Sequence, residues 1–152
     1  MKLTRSEKWL SFIFILSLLH HIDHILRIDH SGFPFLPGVS PFTYSLLVYP
    51  IFLIIAVSRK KPWYRVTGTF LLFLFATISH IFFEPMKDKF HTWAYGSNLK
   101  FHVGEQNMLG YNSKFLGICS ITLAILLSLF LLVTLVLFIK DARQNSFHFD
   151  KF

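Results

Sequence analysis

Four long apolar runs constrain this chain more than anything else in it. They are Trp9 to about Leu26, Phe42–Ser58, Val66–Phe83 and Phe115–Ile139, the last with 25 residues free of charge. At about 1.5 Å per residue, helices of this length match a hydrocarbon layer of ~30 Å. Backbone N–H and C=O groups in such a layer have no water to bond, so each run must satisfy them within a helix. The expectation is one all-α domain over residues 1–152, a four-helix transmembrane bundle. Its spans are about 9–27, 42–58, 66–84 and 115–139, with a long outer loop over 85–113.

Composition agrees with a bilayer as the first partner. Only 15% of residues are charged, against about 25% in soluble domains. The net charge of +7 would raise nucleic acid as a ligand for a soluble protein. Here the basic residues sit between apolar runs and no basic stripe is interleaved with aromatics, so nucleic acid is excluded as a partner. With the N terminus inside, ten basic residues face the cytoplasm, grouped around Lys2, Arg59–Arg65 and Lys140. Five face outward: Arg27, Lys87, Lys89, Lys100 and Lys114. The positive-inside rule therefore predicts an N-in, C-in multi-pass protein of the cytoplasmic (inner) membrane.

Lys2, Arg5 and Lys8 ahead of Trp9–Leu19 resemble the start of a signal peptide. His20, His21, Asp23 and His24 follow in place of a small-residue cleavage site, so the helix is expected to be retained. Pro50 is expected to kink the second span. Ser113, Gly117 and Ser120 form a small-residue strip on the fourth, suited to close helix packing. Cys119, the single cysteine, reads as a small core residue.

Seven of the eight histidines fall on the outer side of this topology, all except His148. At 100° per residue, His20, Asp23, His24 and Arg27 share an arc of about 100° on the first helix, and His21 lies off it. A charged group at the centre of a membrane helix costs roughly 2.5–3.5 kcal/mol on insertion scales, so this stripe must face the bundle interior or water. The third helix offers partners at matching depth, His80 and Glu84, with Thr77 on the same face. Ser45 and Tyr49 line the second.

Four readings fit the cluster. His20 and His24 have the i, i+4 spacing that aims two imidazoles at one ion, and His80 and Glu84 can complete a shell for a transition metal such as zinc. Asp23, Arg27 and Tyr49 would then orient ligands or relay protons. A haem between His20 or His24 and His80 is the second reading, although CxxCH is absent. Proton-linked transport or metal-free acid–base chemistry is the third. The fourth is a purely structural network, with Asp23–Arg27 as an i, i+4 pair. His91 and His102 either join an outer-face site or are solvated. Trp63, Tyr64, Trp93 and Tyr95 read as interfacial aromatics. The Walker, GxGxxG, GxSxG and HExxH patterns are absent, and no catalytic residue is assigned.

His20-His21-x-Asp23-His24-x-x-Arg27, Asp29-His30-Ser31-Gly32-Phe33-Pro34 and Pro41-Phe42-Thr43-Tyr44-Ser45-Leu46-x-x-Tyr49-Pro50 resemble small prokaryotic integral membrane proteins without an assigned activity. The resemblance covers roughly the first third of the chain. It implies a four-span fold and a bacterial or archaeal cell membrane, and no activity. The sequence thus leads to a membrane protein with a His/Asp/Glu site in the outer half of its bundle, metal-binding and open to enzymatic use. A transporter or accessory subunit, and a structural partner in a homo-oligomer or larger complex, stand as alternatives.

Overall fold

A computed structural model describes residues 2–27, 38–96 and 107–149, without the side chains of Pro41 and residues 145–149. His30, His102, Lys100 and the Asp29–Pro34 stretch of the resemblance lie outside the described residues, as does the side chain of His148. The described chain is helical, without strand. In order it forms α1 (Arg5–Arg27), α2 (Pro41–Ser45), α3 (Val48–Val57), α4 (Pro62–Ile78), α5 (Met86–Tyr95) and α6 (Lys114–Phe149). The helix of α4 runs on as a π-helical turn, Ser79–Phe83. Three helices are long and apolar enough to cross a membrane: Arg5–Arg27, Pro62–Phe83 and Lys114–Gln144. The fourth apolar segment, Phe42–Val57, is shorter.

Local chemistry explains where these helices begin and end. Thr4 and Glu7 form a capping box at the start of α1: the Thr4 N–H donates to Glu7 Oε2 at 2.9 Å and the Glu7 N–H to Thr4 Oγ1 at 3.2 Å. Pro62 opens α4 at a position whose N–H would be unpaired anyway. Pro85 closes the helical run, because it disfavours helical geometry in Glu84.

The second segment is broken rather than kinked. The break lies at Leu46–Leu47, four residues ahead of Pro50. Pro50 has no N–H to give the Leu46 carbonyl and its ring crowds that group. The Leu46 oxygen is instead taken by the Tyr49 N–H at 3.1 Å, a tighter turn.

Helix α5 lies inside the stretch expected to be a loop. Pro85 precedes it and Gly96 ends it, at φ 85°, a conformation that favours glycine. It docks on α6 where Gly117 allows close approach: a Cβ there would lie 2.9 Å from Phe90 Cδ2 and 3.1 Å from the Phe90 carbonyl oxygen. Ser113 and Gly117 of the small-residue strip therefore receive α5, while Ser120 reaches Asp23 of α1. Ser113 N–H also donates to the Trp93 carbonyl at 2.7 Å. Cys119 is exposed and not a core residue, because it sits one position, about 100°, away from the buried Ser120.

Helix α6 packs against α1, α4 and α5, while α3 leans mainly on α4 and meets α1 only lightly. The core joins Leu10, Ile13 and Leu16 of α1 to Phe52 and Ile55 of α3, Leu72 of α4, and Leu127, Leu131 and Phe138 of α6. Phe82, Phe115, Val57 and Leu53 point outward with 64–73% of their surface exposed, as expected where lipid is the solvent. At the end away from the histidines, Glu7 takes Arg59 at 2.8 Å and Arg65 at 3.2 Å, Ser6 donates to Asp141 at 2.5 Å, and Arg65 lies over the Phe138 ring at 4.4 Å.

Gly117→Val should lower the stability of the detergent-solubilised protein by about 1–3 kcal/mol, the usual cost of overpacking. Ile118→Val, at an outward position, should change it little. Thermal melts of the two variants check this; equal melts would mean that α5 does not need the close approach.

Candidate functional site

The stripe on α1 is turned inward. His20 and Arg27 are buried, while Leu19 and Ile22 beside them are exposed. Asp23 lies at the junction of three helices. Its Oδ1 accepts from Trp93 Nε1 of α5 at 2.8 Å, and its Oδ2 from Ser120 Oγ of α6 at 2.7 Å and Arg27 Nε at 3.2 Å. Arg27 bridges onward to the Glu84 carboxylate, which also pairs with Lys89. Two carboxylates thus share two cations across α1, α5 and the end of α4.

Glu84 gathers the rest of the cluster. His24 Nε2 stands 3.1 Å from its Oε2, and His80 Nδ1 stands 3.6 Å from the same atom. His24 Nε2 is also 3.0 Å from His20 Nε2. The ligand atoms of His20, His24 and Glu84 all fall within 4.8 Å of one another. The π-helical turn carries His80 and Glu84 here: the Glu84 N–H bonds back to the Ser79 carbonyl at 2.9 Å. Such turns often occur at functional sites.

Three buried nitrogens in the cluster have no hydrogen-bond partner: His20 Nδ1, His80 Nδ1 and His80 Nε2. Thr77 Oγ1, also without one, is buried on the same helix. An unsatisfied buried polar atom costs about 1–3 kcal/mol, so a group of them calls for an explanation. The geometry at His24 sharpens the point. An imidazole nitrogen offers one in-plane direction for a hydrogen or a lone pair, and this one meets two partners at hydrogen-bond distance.

His21 forms a separate knot. His21 Nε2 stands 2.9 Å from the Ser45 hydroxyl, whose oxygen also lies 2.6 Å from the Phe42 carbonyl oxygen. His21 Nδ1 stands 2.9 Å from the Ser17 carbonyl oxygen, which can only accept, so Nδ1–H donates there, and the Tyr49 hydroxyl lies 2.9 Å from the same nitrogen. Tyr49 therefore engages His21, the histidine that helical geometry sets aside, and not His20, His24 or Glu84. Arg27 and Asp23 do adjoin the cluster, one through Glu84 and the other through Arg27.

Three contributors were not foreseen. Lys89 is fully buried and Trp93 nearly so, and Ser120 reaches Asp23. Lys89, Thr92 and Trp93 share one face of α5 at i, i+3, i+4 spacing. Pro85 and Gly96 bracketing ten residues are the signal that could have found that helix. His91 lies on α5 outside this face, against Tyr95.

Next to the cluster lies a cavity of about 750 Å³ between α1, α3 and α4. His20, His80 and Glu84 line its polar end; Ile51, Leu72 and Leu131 line the rest.

Burial lowers the Lys89 ammonium from its ordinary value to about 8, against the pull of Glu84. The folded state thus binds this proton less tightly than the unfolded chain. That penalty is fully present below pH 8 and is relieved as pH rises toward 10.5. In the presence of chelator, wild type should gain stability relative to Lys89→Met over this window. A difference in melting temperature that stays flat or falls from pH 8 to 10.5 would contradict it. Glu84→Gln should cost about 3–5 kcal/mol, since it leaves buried cations without their counter-ion, and melts at pH 7 read this directly.

No protein-family model, no curated protein and no solved structure matches this chain.

Proposed function

We propose that this is a multi-pass membrane protein, a four-helix bundle with both termini in the cytoplasm, that holds a divalent transition metal between His20, His24 and Glu84. One observation carries the reading: His24 Nε2 lies 3.0 Å from His20 Nε2 and 3.1 Å from Glu84 Oε2. Ligands bound tetrahedrally at 2.0–2.1 Å stand about 3.3 Å apart. A cation at their centre resolves the conflict at His24, because each nitrogen then points a lone pair inward.

Two imidazoles and one carboxylate suit zinc or ferrous iron, with an open position on the side of His80. His80 supplies either a fourth ligand or a hydrogen bond to whatever fills that position. Arg27 and Lys89 hold the Glu84 carboxylate in place and ionised, as groups around a metal ligand commonly do. A metal held there would supply Lewis-acid or redox chemistry at membrane depth.

A second reading has an observation of its own. Glu84 already accepts from Arg27 and Lys89, so its charge is met without a metal. In that case His20, His24 and His80 are proton carriers in a transport or accessory subunit.

Elemental analysis of the protein purified in detergent separates the two. The expected result is about one transition metal per chain, lost in the His20→Ala/His24→Ala variant at unchanged helix content. Folded wild-type protein that neither retains nor takes up zinc or iron would overturn the metal reading in favour of proton chemistry.

A further inference from the structure

The cavity beside the cluster is polar at one end only. His20, His24, His80 and Glu84 line that end. From there it follows α4 down to Leu72, eight residues or about 12 Å below His80, and its deeper walls are Ile51, Phe52, Leu127 and Leu131. Its volume, about 750 Å³, falls within the roughly 300–1,000 Å³ of small-molecule sites. A ligand that satisfies both ends has an apolar chain and a compact polar head.

Charge sets the sign of the head. Around the cluster, Arg27 and Lys89 balance Asp23 and Glu84. A divalent ion between His20, His24 and Glu84 leaves an excess of two positive charges in a buried place. Such an excess is costly unless an anion accompanies it. His80, whose Nδ1 faces Glu84 and whose Nε2 has no hydrogen-bond partner, stands beside this spot, where Nε2–H can donate to an oxygen.

We infer that the cavity holds a single long-chain amphiphile with an anionic oxygen head, the chain along Ile51 and Leu72 and the head between His80 and the metal. The anionic head rests on the metal reading; the apolar seat rests on the cavity itself. A carboxylate and a phosphate share the required chemistry.

The test uses wild-type protein in nanodiscs and a palmitate bearing a photoreactive diazirine on its chain. Metal content is measured on the same sample. Crosslinks located by mass spectrometry should fall on the lining of α3 and α4. Palmitate or palmitoyl lysophosphatidate should compete at concentrations at least tenfold lower than hexadecanol, and their order tells carboxylate from phosphate. Ala76→Leu, which narrows the cavity one helical turn below His80 and touches none of the three proposed ligands His20, His24 and Glu84, should reduce labelling severalfold with metal content unchanged. Should that variant not fold, the competition series on wild type alone decides.

Near-stoichiometric metal with labels spread over outward residues such as Leu53 and Phe82 overturns the amphiphile site and leaves the metal centre standing. Metal-free protein that labels the lining but treats hexadecanol like palmitate overturns the metal centre and the anionic head together.

Discussion

Glu84 is the point on which the histidine end of the molecule depends. It is a buried carboxylate at the end of α4, met by Arg27 from α1 and by Lys89 from α5. Bringing three charges into a weakly polar interior costs several kcal/mol per ion, recovered only when the partners are close and the remaining valences are filled. Arg27 fills one of its own with Asp23, and Asp23 fills its remaining sites with Trp93 and Ser120. One chain of ion pairs and hydrogen bonds therefore fixes α1, the end of α4, α5 and α6 relative to one another. The histidines are held at the edge of that chain.

The long helices were legible because a lipid solvent demands unbroken apolar sequence, which a linear reading detects. The stripe on α1 was legible for a related reason: His20, Asp23, His24 and Arg27 repeat with the helical period in an otherwise apolar run. The break in the second segment fell away from Pro50 because a missing N–H acts on the carbonyl four residues earlier. Helix α5 was hidden by its mixed composition, since the residues it buries include Lys89 and Thr92 beside Trp93 and Ala94. Lys89 was hidden with it. A lysine in a presumed loop counts as a topology signal, and only docking of α5 on Gly117 brings it to Glu84. His21 shows the opposite failure. Its angle on α1 set it apart from the stripe, yet Ser45 and Tyr49 approach from that side and bury it.

The two ends of the molecule are built from similar residues to different purpose. At the far end Glu7 caps α1 and pairs with Arg59 and Arg65, and Asp141 accepts from Ser6. Carboxylates there are matched by donors, although Arg65 Nε is buried without a hydrogen-bond partner. At the histidine end the ion pairs are matched as well, but the imidazoles are not. His20 and His80 retain buried nitrogens without hydrogen-bond partners. Each unsatisfied member weakens the fold that a network serves, and the histidine end gathers three such nitrogens in one cluster. The surplus donors and lone pairs lie on one side of Glu84, facing the cavity. The ion-paired side of Glu84 is thereby distinguished from the side facing the cavity, which is the one that the proposed metal and its companion ligand would occupy.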